Sequence, residues 1–161
     1  MKTLFIALRA SLYSIGFILL FGWIALSLRR FDEDFGVTLP PWSDVIGIIV
    51  MVIGGGLVAA CLGLFVVRGR GTGAVFDPPQ QFVVIGPYKY VRNPMYIGGL
   101  TLLIGFGFYH RSLSIVFSSL IFFLFLHLFV LFYEEPGLEK RFRQSYLDYK
   151  RSIKRWIPKW K

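Results

Sequence analysis

The sequence has few charged residues and a single cysteine, and both scarcities narrow the class of protein. Charged side chains make up 17% of the 161 residues, hydrophobic ones make up 55%, and the mean hydropathy is +0.62. This composition is too apolar for a soluble domain of this length and predicts an integral membrane protein. The lone Cys61 excludes an intrachain disulfide, and we interpret it as a small core residue because it lies in an apolar run.

Acidic residues are also scarce, with 9 Asp and Glu against 18 Lys and Arg, a formal net charge of +9. In a soluble chain this excess would suggest a nucleic-acid partner. Here the basic residues flank apolar runs and belong to no groove-reading module, so we predict no nucleic-acid partner. Membrane topology and lipid headgroups explain the charge better.

Four apolar runs predict an all-α membrane protein of about four transmembrane helices, arranged as two hairpins in a single membrane domain. The runs are residues 10–28, 45–67, 95–109 and 112–133. The first is longer than a signal-peptide core and would form a helix of about 28 Å, so we interpret it as a retained span. The third reaches only about 22 Å as a helix. Either it continues from residues before Pro94, or it forms a hairpin with the fourth run that does not cross the whole bilayer.

The distribution of charge predicts the topology. Residues 1–9, the loop 68–94 and the tail 134–161 are basic, whereas the loop 29–44 has four acidic and two basic residues. Basic segments favour the cytoplasmic side. We therefore expect a multi-pass protein, in a bacterial inner membrane, with both termini cytoplasmic.

Glycines within the second run predict close approach of a neighbouring helix, because small residues let membrane helices pack backbone to backbone. These residues are Gly54, Gly55, Gly56 and Gly63.

The tail 134–161 predicts an amphipathic helix in the membrane interface. Apolar residues recur at helical spacing with basic residues around them, namely Leu138, Phe142, Tyr146, Tyr149 and Ile153. Trp156 and Trp160 would anchor the end of this helix, and Pro158 would stop it.

Two polar clusters flank the last pair of runs. Arg92-Asn93-Pro94-x-Tyr96 precedes the third run, and Glu134-Glu135 directly follows the fourth. A hairpin would bring the clusters into one pocket at the membrane surface. The two carboxylates are either a solvated cap or hydrogen-bond acceptors for a ligand's hydroxyl or amine groups. Pro136 disfavours α geometry at Glu135, so we expect the backbone to break there and a new helix to start at the proline.

His127 is an ionisable residue inside the fourth run, which makes it a functional candidate. A neutral imidazole hydrogen-bonded to a helix carbonyl is the alternative interpretation.

The two polar clusters belong to longer patterns that resemble a known family. The first pattern reads Gly86-x-Tyr88-x-Tyr90-x-Arg92-Asn93-Pro94-x-Tyr96-x-Gly98, and the second reads Glu134-Glu135-x-x-Leu138-x-x-x-Phe142-x-x-x-Tyr146-x-x-Tyr149. In order and spacing they resemble the signatures of small integral-membrane methyltransferases, which include the isoprenylcysteine carboxyl methyltransferases and the phospholipid methyltransferases. The resemblance covers residues 68–158, and the first two helices match only as generic spans.

The resemblance implies S-adenosylmethionine as the cofactor, bound in a cytoplasmic-side pocket roofed by the tail. The predicted cofactor-binding residues are Arg92, Asn93, Pro94, Met95, Tyr96, Gly98, Glu134 and Glu135. The chemistry is suitable, since carboxylates accept hydrogen bonds from ribose or ammonium, arginine pairs with a carboxylate, and Tyr88, Tyr90 and Tyr96 offer aromatic faces. Gly98 and Gly99 permit close approach either of the cofactor or of another helix. No metal site and no catalytic base are predicted.

The sequence thus predicts a membrane methyltransferase that acts on a lipid-like or small apolar acceptor. In the prenylcysteine enzymes an arginine about one turn before the glutamates is associated with the substrate. This chain has Val130 there, which counts against prenylcysteine as the acceptor. The alternatives are a non-enzymatic lipid-binding membrane protein and a reductase resembling the nicotinamide-dependent sterol reductases, which share a similar C-terminal motif but are much longer.

Overall fold

The computed structural model describes residues 2–36, 38–69, 71–72 and 80–158. Its main helices are α1 (Lys2–Leu28), α2 (Ser43–Leu64), α3 (Pro94–Tyr109), α4 (Leu113–Phe129) and α5 (Glu135–Ser152). Short helical turns also occur at Arg29–Phe31, Asp32–Phe35 and Gly86–Lys89. These described ranges contain no β-strand, which confirms the all-α prediction. Residues 70 and 73–79 of the predicted loop 68–94 lie outside them, as does Trp160.

Three helical segments are long and apolar enough to cross a membrane, namely Thr3–Asp34, Ser43–Gly69 and Leu113–Ser152. The fourth apolar helix, α3, has 16 residues and a length of about 24 Å. Apolar side chains on the long helices face outward, as lipid-facing residues do. Leu19 is 67% exposed, Val52 is 69% exposed and Phe125 is 60% exposed.

The helices α2 and α3 cross at two pairs of glycines, Gly54 with Gly98 and Gly47 with Gly105. A Cβ atom added to Gly54 would lie 2.7 Å from the carbonyl oxygen of Gly98, and one added to Gly105 would lie 2.8 Å from that of Gly47. No side chain fits between these backbones, so the contact depends on the glycines themselves. This confirms the packing prediction for Gly54.

The remaining glycines predicted to pack do not take part in the crossing. A Cβ atom on Gly55 would meet only Leu102, at 3.8 Å, and one on Gly56 or Gly63 would meet nothing within 4 Å. The packing prediction is therefore wrong for Gly56 and Gly63 within this chain, because both lie on the part of α2 that faces away from α3.

A tight turn joins α3 to α4 and makes the predicted second hairpin. Arg111 has a left-handed backbone (φ 53°), and its Nη2 atom donates a hydrogen bond of 2.7 Å to Asp44. Ser112 caps α4 by accepting a hydrogen bond of 3.2 Å from the backbone N–H of Ile115. The hairpin brings the start of α3 beside the end of α4, where the candidate site lies.

The expected backbone break at Glu135 is wrong. Glu135 has helical geometry (φ −59°, ψ −46°), and a π-helical turn over Val130–Glu134 joins α4 to α5. Pro136 lies in the first turn of α5, as expected. The wider turn explains how the helix continues, because it changes the hydrogen-bond pattern just where the proline lacks an N–H group and needs space for its ring.

The tail differs from the single interfacial helix that we predicted. The helix α5 ends at Ser152, well before Pro158, and has a kink at Arg143, where φ is 47° and ψ is −124°. Two residues of its predicted apolar face, Tyr146 and Tyr149, are only 3% and 7% exposed. Their rings pack on Phe82, and the hydroxyl of Tyr149 donates a hydrogen bond of 2.7 Å to the carbonyl oxygen of Tyr88. Part of this apolar face therefore covers the loop before α3.

Candidate functional site

A cavity of about 550 Å³ lies between the Gly86–Lys89 turn, the start of α3 and the junction of α4 with α5. Its walls are mainly apolar and aromatic, and α5 covers one side. The predicted site residues that line it are Arg92, Asn93, Met95, Tyr96 and Glu134. The structure thus brings the two sequence clusters together in one cavity.

Glu134 is the carboxylate that lines the cavity. The hydroxyl of Tyr96 donates a hydrogen bond of 2.8 Å to its Oε2 atom. Among the described residues this is the one hydrogen bond to that carboxylate, so Glu134 keeps acceptor capacity for a ligand. Tyr96 and Glu134 are 38 positions apart, and the hairpin alone brings them into contact.

Glu135 lies in a cluster of cations beside the cavity and does not line it. Its side chain is 3% exposed, with Arg92 Nη1 at 3.1 Å, Lys150 Nζ at 3.1 Å and Arg155 Nε at 2.6 Å. Arg155 binds it through two atoms, since Nη2 also lies 3.0 Å from Oε2, and this interaction raises the pKa of the Arg155 guanidinium. Lys150 also pairs with Glu139, at 2.6 Å. The three cations therefore share the carboxylates of Glu135 and Glu139.

Arg92 is a buried cation in the cavity wall. Its side chain is 9% exposed and lines the cavity. The Nη1 atom forms an ion pair with Glu135 at 3.1 Å, although neither Nη1 nor Nε has hydrogen-bond geometry to a partner among the described residues. Both of these atoms are buried, so an anionic ligand in the cavity would be attracted by the charge of the guanidinium and not by these two donors.

The other predicted site residues have structural contacts. The side-chain amide of Asn93 donates a hydrogen bond of 3.3 Å to the carbonyl oxygen of Arg155, although Asn93 also lines the cavity. Pro94 is fully buried at the first position of α3. Gly98 lies at the crossing with Gly54 and not in the cavity wall, so its position agrees with the helix-packing interpretation.

The aromatic residues of the first pattern differ in their placement. Tyr88 lines the cavity and is 8% exposed, and burial raises the pKa of its hydroxyl. Tyr90 is 49% exposed and does not line the cavity. Phe82, which the sequence patterns did not indicate, lines the cavity and packs against Phe142 with ring centroids 5.1 Å apart.

His127 lies away from the cavity and contacts the tail. Its Nδ1 atom accepts a hydrogen bond of 2.9 Å from the indole N–H of Trp156. The partner is therefore an indole and not the helix carbonyl that we considered from the sequence. The same contact corrects the prediction for Trp156, because this side chain packs on α4 beside Phe123 and does not anchor a separate interfacial helix.

Together, the fold and the site define an all-helical membrane protein with a partly polar cavity at one end of its helices. The model of the phospholipid methyltransferase family matches residues 42–145, well over half of the chain, and the protein belongs to this family of membrane methyltransferases. The match begins at α2, a helix that the two sequence patterns do not cover, and it ends within α5. Comparisons with curated proteins and with solved structures returned no match.

Proposed function

We propose that this protein transfers a methyl group from S-adenosylmethionine to a lipid-like or small apolar acceptor at the cytoplasmic face of the membrane. The observation that carries the proposal is the cavity itself. It joins a buried guanidinium, a carboxylate with spare acceptor capacity and aromatic walls, in a chain of a membrane methyltransferase family.

The residues present fit the cofactor. The positive charge of Arg92 suits its carboxylate group, and Glu134 suits its ribose hydroxyls or its ammonium group. The faces of Tyr88 and Tyr96 suit a flat base or a sulfonium cation. When bound, S-adenosylmethionine supplies an electrophilic methyl carbon.

The protein's own contribution is to orient the reactants and to exclude water. Tyr96 holds Glu134 in one orientation, and the aromatic wall keeps bulk solvent from the reacting groups. Phe132 and Tyr133 line the cavity and are also 72% and 62% exposed in the π-helical turn after α4, where an apolar acceptor can reach the cavity from lipid. A carboxylate or thiolate acceptor needs no base, whereas an amine acceptor must arrive unprotonated.

Binding of S-adenosylhomocysteine to the purified protein, measured by thermal shift and by titration, tests the cofactor. We expect saturable binding, and we expect Glu134→Gln to weaken it by about 10-fold or more, because hydrogen bonds to charged groups contribute about 1.5–3 kcal/mol. Glu33→Gln makes the same chemical change at the opposite end of the helices and should bind as the wild type does. A folded protein that fails to bind, or that binds a reduced nicotinamide instead, would refute the proposal.

Transfer of a labelled methyl group from S-adenosylmethionine tests the reaction and the class of acceptor. We expect label in the lipid fraction of a membrane extract. Separate assays with phosphatidylethanolamine, prenylcysteine analogues and small thiols identify the acceptor group. A non-enzymatic lipid-binding protein or a reductase would incorporate no label.

A further inference from the structure

The segment just after α5 contacts two residues at the start of α3 and one residue on α4. We call residues 154–156 the C-terminal clasp. The carbonyl oxygen of Lys154 accepts a hydrogen bond of 3.0 Å from the backbone N–H of Arg92. The carbonyl oxygen of Arg155 accepts one of 3.3 Å from Asn93, and the indole of Trp156 donates one of 2.9 Å to His127. The clasp therefore joins the start of α3 to the outer surface of α4.

The side chain of Arg155 adds the strongest of these links. It reaches Glu135 with two hydrogen bonds, of 2.6 Å and 3.0 Å. Two parallel bonds between a guanidinium and a carboxylate fix the orientation of both groups, which a single charge contact would not do. Because Glu135 is 2% exposed, little room remains for it to turn away.

Holding the side chain of Glu135 in place also sets the direction of Glu134, the residue before it. Successive side chains on a helix point about 100° apart, so the two carboxylates leave the helix in different directions. With Glu135 held by Arg155, the other carboxylate, Glu134, faces the cavity and meets Tyr96. Glu135, held by this pair of bonds, also forms an ion pair of 3.1 Å with Arg92, so Arg155 and Arg92 share one carboxylate.

We propose that Arg155 is a positioning residue of this site, which acts through Glu135 to hold Glu134 and the guanidinium of Arg92 in place at the cavity. This inference rests on the proposed function, since it concerns the same cofactor. Arg155 does not line the cavity, and it lies beyond residue 145, where the match to the family model ends. Its role follows from the contacts of this chain alone.

The test is to titrate purified variants with S-adenosylhomocysteine and to measure methyl transfer at varied S-adenosylmethionine. We expect Arg155→Gln to weaken binding by about 10-fold, the effect of losing a charge-assisted hydrogen bond. Arg155→Lys keeps the charge but cannot make the paired bonds, so it should give an intermediate loss. In the Lys variant the KM for the cofactor should rise while kcat changes little, since the reacting groups themselves are unaltered.

A double-mutant cycle separates positioning from a general loss of stability. If Arg155 acts through Glu135, the double variant Glu135→Gln with Arg155→Gln should lose much less affinity than the product of the two single losses. Single losses that multiply would overturn the proposal. Arg151→Gln is the control, because Arg151 is a nearby cation whose side chain is 76% exposed and whose partner, Asp148, lies 3.6 Å away.

The remaining outcomes are also decisive. If the wild type binds and Arg155→Gln binds equally well, the positioning role is refuted while the cofactor assignment stands. If the wild type itself does not bind, the proposed function fails first. If Arg155→Gln does not fold, Arg155→Lys becomes the test. An unchanged KM for the cofactor in Arg155→Lys then refutes the proposal.

Discussion

Tyr96 and Glu134 show how one side-chain contact can define the chemistry of the site. The tyrosine lies in the first turn of α3, and the glutamate ends the π-helical turn after α4. Their hydrogen bond of 2.8 Å joins these two elements in the wall of the cavity. Without the hydroxyl, the half-buried carboxylate of Glu134 would lose its protein donor. Such a group costs about 1–3 kcal/mol when left unsatisfied, and more when it is charged.

We therefore predict that Tyr96→Phe weakens S-adenosylhomocysteine binding by about 10-fold, because Glu134 is no longer held in one orientation. Titration of the purified variant measures the effect. Tyr109→Phe makes the same change at the far end of α3, where the side chain is 45% exposed, and should leave affinity unchanged. Equal affinity of Tyr96→Phe and the wild type would contradict the assignment of Glu134 to the cofactor.

For His127 we predict that substitution has little effect, in contrast to Tyr96. Its Nδ1 atom is occupied by Trp156, and its side chain does not line the cavity. Since the carbonyl oxygen of glutamine can also accept the indole hydrogen bond, we expect His127→Gln to retain methyl transfer within a few-fold of the wild type. A loss of more than about 100-fold in kcat at unchanged cofactor affinity would instead give His127 a catalytic role.

At the scale of whole elements, α3 couples the site to the helix packing. Its first turn carries Met95 and Tyr96, which line the cavity, and its later turns carry Gly98 and Gly105, which pack against α2. The glycine crossing therefore sets the position of the cavity residues relative to α2.

We predict that Gly54→Ala destabilises the protein by about 1–3 kcal/mol, because the new methyl group would lie 2.7 Å from backbone atoms of α3 and force the helices apart. Gly56→Ala is the matched control on the same helix. Its methyl group meets nothing within 4 Å, so we expect no loss and a gain of at most about 1 kcal/mol from helix propensity. Thermal unfolding in detergent, followed by circular dichroism, distinguishes them, and equal melting temperatures would contradict the crossing.

The helices show which parts of the fold can be predicted from the sequence. Apolar runs of suitable length indicated the helical segments, because hydropathy and length are local properties. The π-helical turn at Val130–Glu134 and the kink at Arg143 could not be predicted, since each depends on how the tail packs. In the site, the motifs indicated both carboxylates, but only tertiary contacts with Arg155 and Lys150 separate Glu135 from Glu134. Glu135 and Arg155 are 20 positions apart on either side of this kink, and no sequence pattern predicts that they touch.

At the scale of the whole molecule, the two ends of the helices differ in their charge and in the structural features that lie there. The cavity, α5 and the C-terminal clasp lie at one end of the helices. The turn at His110–Arg111 and the acidic segment after α1 lie at the other, where Asp32 accepts a hydrogen bond of 2.9 Å from the backbone N–H of Ser114. With basic residues concentrated at the first end, we expect that end to face the cytoplasm.

Labelling of introduced cysteines with a membrane-impermeant maleimide checks this orientation. We predict that Glu33→Cys reacts in intact cells, whereas Arg151→Cys reacts only after the membrane is permeabilised. Both native side chains are exposed, and the native Cys61 is fully buried and should give little background. The reverse pattern would place the cavity on the outer face and contradict the proposed site of methyl transfer.

The π-helical turn has a consequence for the length of the chain. In such a turn the hydrogen bonds reach back five residues instead of four, so the junction holds one residue more than a regular α-helix would. Deleting Leu131 would remove that extra residue and leave a regular α-helix, with α5 in nearly the same rotation and Glu135 still beside Arg155. A deletion in the regular part of α4, such as that of Ile121, would instead rotate everything after it by about 100° and break the bond between Glu135 and Arg155. The place of a deletion along this helix therefore decides whether Glu134 still faces the cavity.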